Sequence, residues 1–123
     1  MKDHFPGFRE VPKGVDLRVV PPQGDKHHMI GFDAKTPKEA RAYNEAIGHY
    51  LDSLKSNSNI FHQVGGDDDA LGYHAWEIWD RDIDESKLAA LLPKIEADAQ
   101  ILITEDDLDV LWEKVYKRWK EEE

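Results

Sequence analysis

The residues best equipped for chemistry in this sequence are its six histidines: His4, His27, His28, His49, His62 and His74. Imidazole is the commonest metal ligand among side chains. His62 and His74 sit symmetrically about a turn of Gly65, Gly66, Asp67, Asp68 and Asp69. A hairpin closed there places the two rings opposite each other on paired strands, close enough to share one ion. Asp33 and the 67–69 loop would lie near the same end. Two imidazoles and a carboxylate suit non-haem Fe(II), and they also suit zinc. The pairing depends on register, because a slip of one residue separates the rings. His27 and His28 are adjacent, so in a strand they point to opposite faces.

The elements that must position these residues can be read from periodicity. Val15, Leu17 and Val19 alternate and predict a short edge strand, set among Pro6, Pro12, Pro21 and Pro22. Phe5, Phe8 and Val11 give this arm apolar side chains to lay on the domain. Residues 28–33 read as a strand with Ile30 and Phe32 on one face. Thr36, Pro37 and Glu39 then start a helix as cap, first residue and capping-box partner. Its stripe is Ala40, Tyr43, Ile47, Tyr50, Leu51 and Leu54. Residues 60–64 and 73–79 read as strands. In the second, His74, Trp76 and Ile78 alternate with Tyr73, Ala75, Glu77 and Trp79. Asp84 caps a second helix carrying Leu88, Leu91, Leu92 and Ile95, which Pro93 should kink or shorten. Residues 100–103 read as a last strand. A final helix, opened by Thr104 with Asp107, carries Leu108, Leu111, Trp112, Val115 and Trp119.

This order predicts an α+β fold, a ferredoxin-like β-α-β-β-α-β sandwich. It has a Pro-rich N-terminal arm at residues 1–26 and a single domain at residues 27–123. The added C-terminal helix is expected to cover the open face of the sheet or to mediate a homodimer.

Composition bounds the function. The chain has 123 residues, 40% of them hydrophobic, enough for one domain with a core. Asp and Glu number 26 against 16 Lys and Arg, for a net charge of -10. That argues against direct nucleic-acid binding, which needs a basic surface. There is no cysteine, so disulfides, thiol nucleophiles and Cys-based zinc sites are excluded. No apolar run reaches membrane-spanning length, and the N-terminus lacks a secretion signal's apolar region. A cytoplasmic protein is expected. No serine nucleophile elbow or phosphate-binding glycine loop is present.

The acidic residues fall in groups. In the expected topology, Asp33 and the 67–69 loop gather at one end of the sheet. At the other end Asp80, Asp82, Asp84 and Glu85 approach Glu105, Asp106, Asp107 and Asp109. Such carboxylates support helix dipoles and solubility. They can also form a docking surface for a basic protein.

The stretch from His27 through Met29, Phe32 and Asp33 to Thr36 resembles the first strand of the small DOPA 4,5-dioxygenase-like proteins. Further echoes are His62 before Val64 and Gly65, Leu91-Leu92-Pro93, and Ile101-Leu102-Ile103 before Asp106-Asp107-Leu108. The resemblance implies a ferredoxin-like fold and Fe(II)-dependent ring cleavage of a catechol. It implies metal ligation by His27 and His62, with His74 beside them. Met29 and Thr104 stand where the family has histidines.

Two readings follow. In the first, the chain is a non-catalytic binding module without a cofactor, of the inhibitor, immunity or nucleic-acid-mimic type. It docks a basic protein through Asp80, Asp82, Asp84, Glu85, Glu105, Asp106, Asp107 and Asp109. In the second, it is a dioxygenase-like enzyme holding Fe(II) or Zn through His27, His62, His74 and Asp33.

Overall fold

A computed structural model describes residues 15–21, 28–54, 61–64, 67, 69–78 and 83–121, the backbone alone for 61–64. The strands are β1 (Arg18–Val20), β2 (His28–Ala34), β3 (Phe61–Val64) and β4 (Gly72–Ile78). They form one antiparallel sheet in the order β1-β2-β4-β3. The helices are α1 (Pro37–Asp52), α2 (Glu85–Thr104), α3 (Leu108–Leu111) and α4 (Lys117–Glu121). A π-helical turn (Trp112–Tyr116) joins the last two into one C-terminal helix.

Alternation decides which face of the sheet is buried. In the β2–β4 register, Ile30 pairs with Trp76, and Phe32 with His74. These four, with Ala34 and Ile78, are buried on one face. The α1 residues Ala40, Tyr43, Ile47 and Leu51 share their core with Leu88, Leu91, Ile95 and Leu102 of α2. Full burial of each large apolar side chain contributes about 1.5–3 kcal/mol. The expected alternation of β4 is therefore present, with Tyr73, Ala75 and Glu77 on the opposite face. Trp79 and Ile60 lie outside the described residues.

The start of α1 follows its local signals. Thr36 Oγ1 accepts a hydrogen bond from the Glu39 N–H at 3.1 Å, and Pro37 occupies the first turn. The Glu39 carboxylate reaches past the cap to the Lys35 N–H at 2.8 Å. Asp84 caps α2 by accepting from the Lys87 N–H at 3.0 Å.

Several sequence expectations are corrected. Residues 100–103 are not a strand but the last turn of α2. The helical stripe of Leu88, Leu91, Ile95, Ala99 and Leu102 runs straight through them, so burial of Leu102 on that stripe outweighs the strand preference of Ile101 and Ile103. The β-α-β-β-α-β order therefore lacks its sixth element. The edge beside β2 is taken instead by β1, whose Arg18 pairs with Gly31. Val15 and Leu17, just before β1, are buried in the core, and the Asp33 N–H donates to the Val15 carbonyl at 2.7 Å. The edge strand of the arm is thus part of the sheet. Phe5, Phe8 and Val11 lie outside the described residues.

Pro93 does not end α2. Proline frees the carbonyl four residues earlier, that of Ala89. Both positions are exposed, so water can satisfy that group. The last helix is capped by Asp107, which accepts from the Asp109 N–H at 2.9 Å, rather than by Thr104.

The C-terminal helix packs over the helices and not over the open face of the sheet. Within α1, Asn44 and Gly48 approach Trp76 of the sheet. His49, on another side of α1, stacks on Trp119 at 4.3 Å. The layers are therefore sheet, helix pair, C-terminal helix.

Candidate functional site

The histidines come first. His74 is fully buried and stacks on Phe32 with ring centroids 5.1 Å apart. Its Nε2–H donates to the Ala70 carbonyl at 2.7 Å, and Asn44 Nδ2 donates to its Nδ1 at 3.3 Å. Trp76 Nε1 in turn donates to Asn44 Oδ1 at 3.0 Å, which fixes the orientation of the amide. Both ring nitrogens of His74 are thus taken by protein groups.

Position 62 pairs with Glu77, not with His74. The β3–β4 register offsets the two histidines by three rows, an odd number that assigns them to opposite faces. The turn is therefore not symmetric about them. Asp33 is placed elsewhere again: its carboxylate accepts from Arg18 at 3.1 Å on the sheet face away from the helices. His27 lies outside the described residues. His74, Asp33 and position 62 are not assembled into one ligand set. Among the described residues no group of three or more His, Asp or Glu stands placed to hold a metal ion.

The acidic groups are also rearranged. Asp84 and Glu85 open α2, whereas Glu105, Asp106, Asp107 and Asp109 follow its C-terminal end. A helix of 20 residues rises about 30 Å, so these groups stand at opposite ends and do not approach each other. The expectation failed because it rested on a returning strand at 100–103. Asp80 and Asp82 lie outside the described residues.

The 105–109 group instead joins the end holding Asp67 and Asp69. The first turns of α1 bridge them: Lys38 pairs with Asp106, and Arg41 with Asp69 at 3.6 Å. The Lys38 hydrogen bond holds the Asp106 carboxyl below its ordinary pKa. Asp84 is lowered too, chiefly by the Lys87 N–H it caps.

A network not anticipated from the sequence centres on Asp98. This carboxylate is 3% exposed and accepts from Tyr50 Oη at 2.6 Å and Trp119 Nε1 at 2.8 Å. Arg118 donates to both of its oxygens, at 2.7 and 3.2 Å. Burial opposes the charged form, yet the bonds from Arg118, Tyr50 and Trp119 outweigh it and hold the Asp98 pKa below its ordinary value. The Arg118 pKa is raised, first by its bond to Asp98. Beside this network runs an open groove of about 470 Å³ lined by Tyr50, Pro93, Ala97, Asp98, Ile101 and Arg118. The available signal was a charged residue on the buried stripe of α2, between Ile95 and Leu102.

A second buried contact joins α1 to α2. Tyr43 Oη donates to Glu96 Oε2 at 2.8 Å and accepts from Gln100 Nε2 at 2.9 Å. Burial pushes the Tyr43 phenol well above its ordinary pKa. Glu96 Oε1 is buried without a hydrogen-bond partner. Gln100 Nε2 also donates to Glu96 Oε2 at 3.2 Å, so the three side chains tie α1 to α2.

The final stripe is corrected in two places. Leu111, Val115 and Trp119 are buried, but Leu108 is 75% and Trp112 44% exposed. The π-helical turn spaces its hydrogen bonds one residue wider than an α-helix. Trp112 opens this turn and faces outward, while Leu111, Val115 and Trp119, four residues apart, share the buried face.

No helix among the described residues is long and apolar enough to cross a membrane. No family model, curated protein or solved structure matches this chain.

Proposed function

We propose that this chain is a non-catalytic binding module of the inhibitor, immunity or nucleic-acid-mimic type. It works in the cytoplasm and docks a basic protein through its acidic end. The observation that carries this reading is the gathering of Asp67, Asp69, Glu105, Asp106, Asp107 and Asp109 around the start of α1. There Lys38 and Arg41 each engage one of these carboxylates. With a net charge of -10, such a surface steers a positive partner into contact. Asp84 and Glu85, about 30 Å away along α2, offer a separate acidic point. The run β2-α1-β3-β4-α2, with β4 between β2 and β3, supports reading the fold as a variant of the ferredoxin-like sandwich, with β1 supplying the outer edge.

The dioxygenase-like reading rests on the resemblance alone. Its ligand set would have to assemble from positions that the strand register separates.

The test compares two charge reversals of equal size. Asp69→Lys with Asp109→Lys alters the acidic end, and Asp52→Lys with Glu121→Lys alters exposed acids elsewhere. Binding of a polylysine peptide is measured at low and high salt. The first pair should weaken binding about tenfold more than the second and flatten its salt dependence. Equal effects would show that only net charge matters and would defeat the reading.

A further inference from the structure

The C-terminal helix exposes two large apolar side chains, Leu108 and Trp112, at 75% and 44%. They are four residues apart and so neighbours along one turn of the helix surface. Tryptophan is among the residue types most enriched at binding hot spots, and this one leaves 44% of its surface uncovered. Trp112 begins a π-helical turn, a feature found often at functional sites.

The surroundings say what would cover it. Residues 105–113 contain Glu105, Asp106, Asp107, Asp109 and Glu113 and no Lys or Arg. Residues 114–120 contain Lys114, Lys117, Arg118 and Lys120 and no acid. The exposed pair lies entirely within the acidic half. Lys38 reaches Asp106, and Lys117 approaches Glu113 at 3.9 Å, so part of this charge is already answered. Asp109 and Glu113 directly follow the two apolar residues and frame them with negative charge.

We propose that Leu108 and Trp112 are the anchor point for a basic amphipathic segment of a partner protein. An apolar side chain of that segment packs on the Trp112 indole. Its Lys or Arg residues pair with Asp109, Glu113 and Glu105, and one of them can lie over the indole face. This deepens the acidic-end reading and rests on it. A second copy of this chain fits poorly. A two-fold interface would set the same acidic patch against itself, between molecules that each carry -10.

The test uses the full chain and two synthetic peptides of equal charge. One has Lys and Leu at helical spacing, and the other has Ala in place of each Leu. Affinities are measured calorimetrically for the parent, for Leu108→Ala with Trp112→Ala, and for Asp109→Lys with Glu113→Lys. Both pairs are exposed, and circular dichroism confirms the fold. The Lys/Leu peptide should bind the parent about tenfold tighter than the Lys/Ala peptide. The alanine pair should erase that advantage, and the lysine pair should weaken both peptides. An advantage that survives the alanine pair overturns the anchor while leaving the acidic end standing. Undiminished binding by the lysine pair overturns both. So does a failure of both peptides to bind the parent. Sedimentation showing a dimer that the alanine pair dissolves would assign the surface to a second copy and overturn the proposal.

Discussion

The carboxylate of Asp98 on α2 grips the guanidinium of Arg118 on α4 in a two-pronged contact, with N···O distances of 2.7 and 3.2 Å. The same carboxylate accepts from Tyr50 of α1 and from Trp119, so one buried charge ties three helices together. Arg118 also donates through its side chain to the Lys114 carbonyl within the π-helical turn, at 2.9 Å.

Asp98→Ala should therefore loosen the C-terminal helix before it affects the sheet. It leaves the Arg118, Tyr50 and Trp119 donors without their shared acceptor, a loss of about 3 kcal/mol. Denaturant unfolding measures the total. Hydrogen exchange should show the earliest loss of protection in residues 108–121. Protection lost first in β2 and β4 would contradict this tie.

The same cluster sets a pH window. The Asp98 carboxyl is held below its ordinary pKa in the folded chain. Its contribution is complete above the unfolded value, about 4, and disappears as pH falls through the folded value. The Tyr50 phenol is shifted the other way, pushed up to about 12 by burial and then by its bond to Asp98. Its contribution is complete below the ordinary value of 10.0 and is lost as pH rises toward about 12. Thermal melts across pH should be flattest between these limits. Asp98→Asn should reduce the acid-side loss, and Tyr50→Phe the alkaline one.

Asn44 bridges α1 and the sheet by donating to His74 and accepting from Trp76. Asn44→Ala removes both bonds in a buried site and should cost about 2 kcal/mol. Asn44→Asp should be at least as damaging, because a carboxylate cannot donate to His74 Nδ1. Chemical denaturation of the two variants checks the ranking, and an aspartate more stable than the alanine would refute it.

His62 and His74 should behave as independent residues. Three rows of strand separate them, and a register that assigns them to opposite faces removes any shared ligand. In a double-alanine cycle their stability effects should add within about 0.5 kcal/mol, with or without added Zn(II). A coupling that appears only with zinc would mean that the two meet on one ion.

Much of the secondary structure is local and was legible in advance. Thr36 and Asp84 cap helices because their side chains compete for nearby N–H groups, a matter of a few residues. The alternation of His74, Trp76 and Ile78 against Tyr73, Ala75 and Glu77 follows from strand geometry alone. The absence of cysteine and the charge of -10 are properties of the sequence in any fold.

What stayed hidden is non-local. Residues 100–103 favour a strand by composition, yet Leu102 completes the buried stripe of α2, and packing outweighs propensity. That one reversal moved Glu105, Asp106, Asp107 and Asp109 from one end of the molecule to the other and gave β1 the sheet edge. Register is equally invisible in a single strand. The symmetry of His62 and His74 about the glycines implied a pairing that the tertiary contacts of β4 with β2 and β3 replaced. The π-helical turn that begins at Trp112 departs from the 3.6-residue period that a sequence stripe assumes. Asp98 is tolerated in the core only because Tyr50, Arg118 and Trp119 converge on it from two other helices. Local neighbours are enough to specify the helix caps, the strand alternation and the acidic character. Which of these charges and rings meet is set in three dimensions, because meeting depends on register, helix length and packing rather than on the residues' own neighbours.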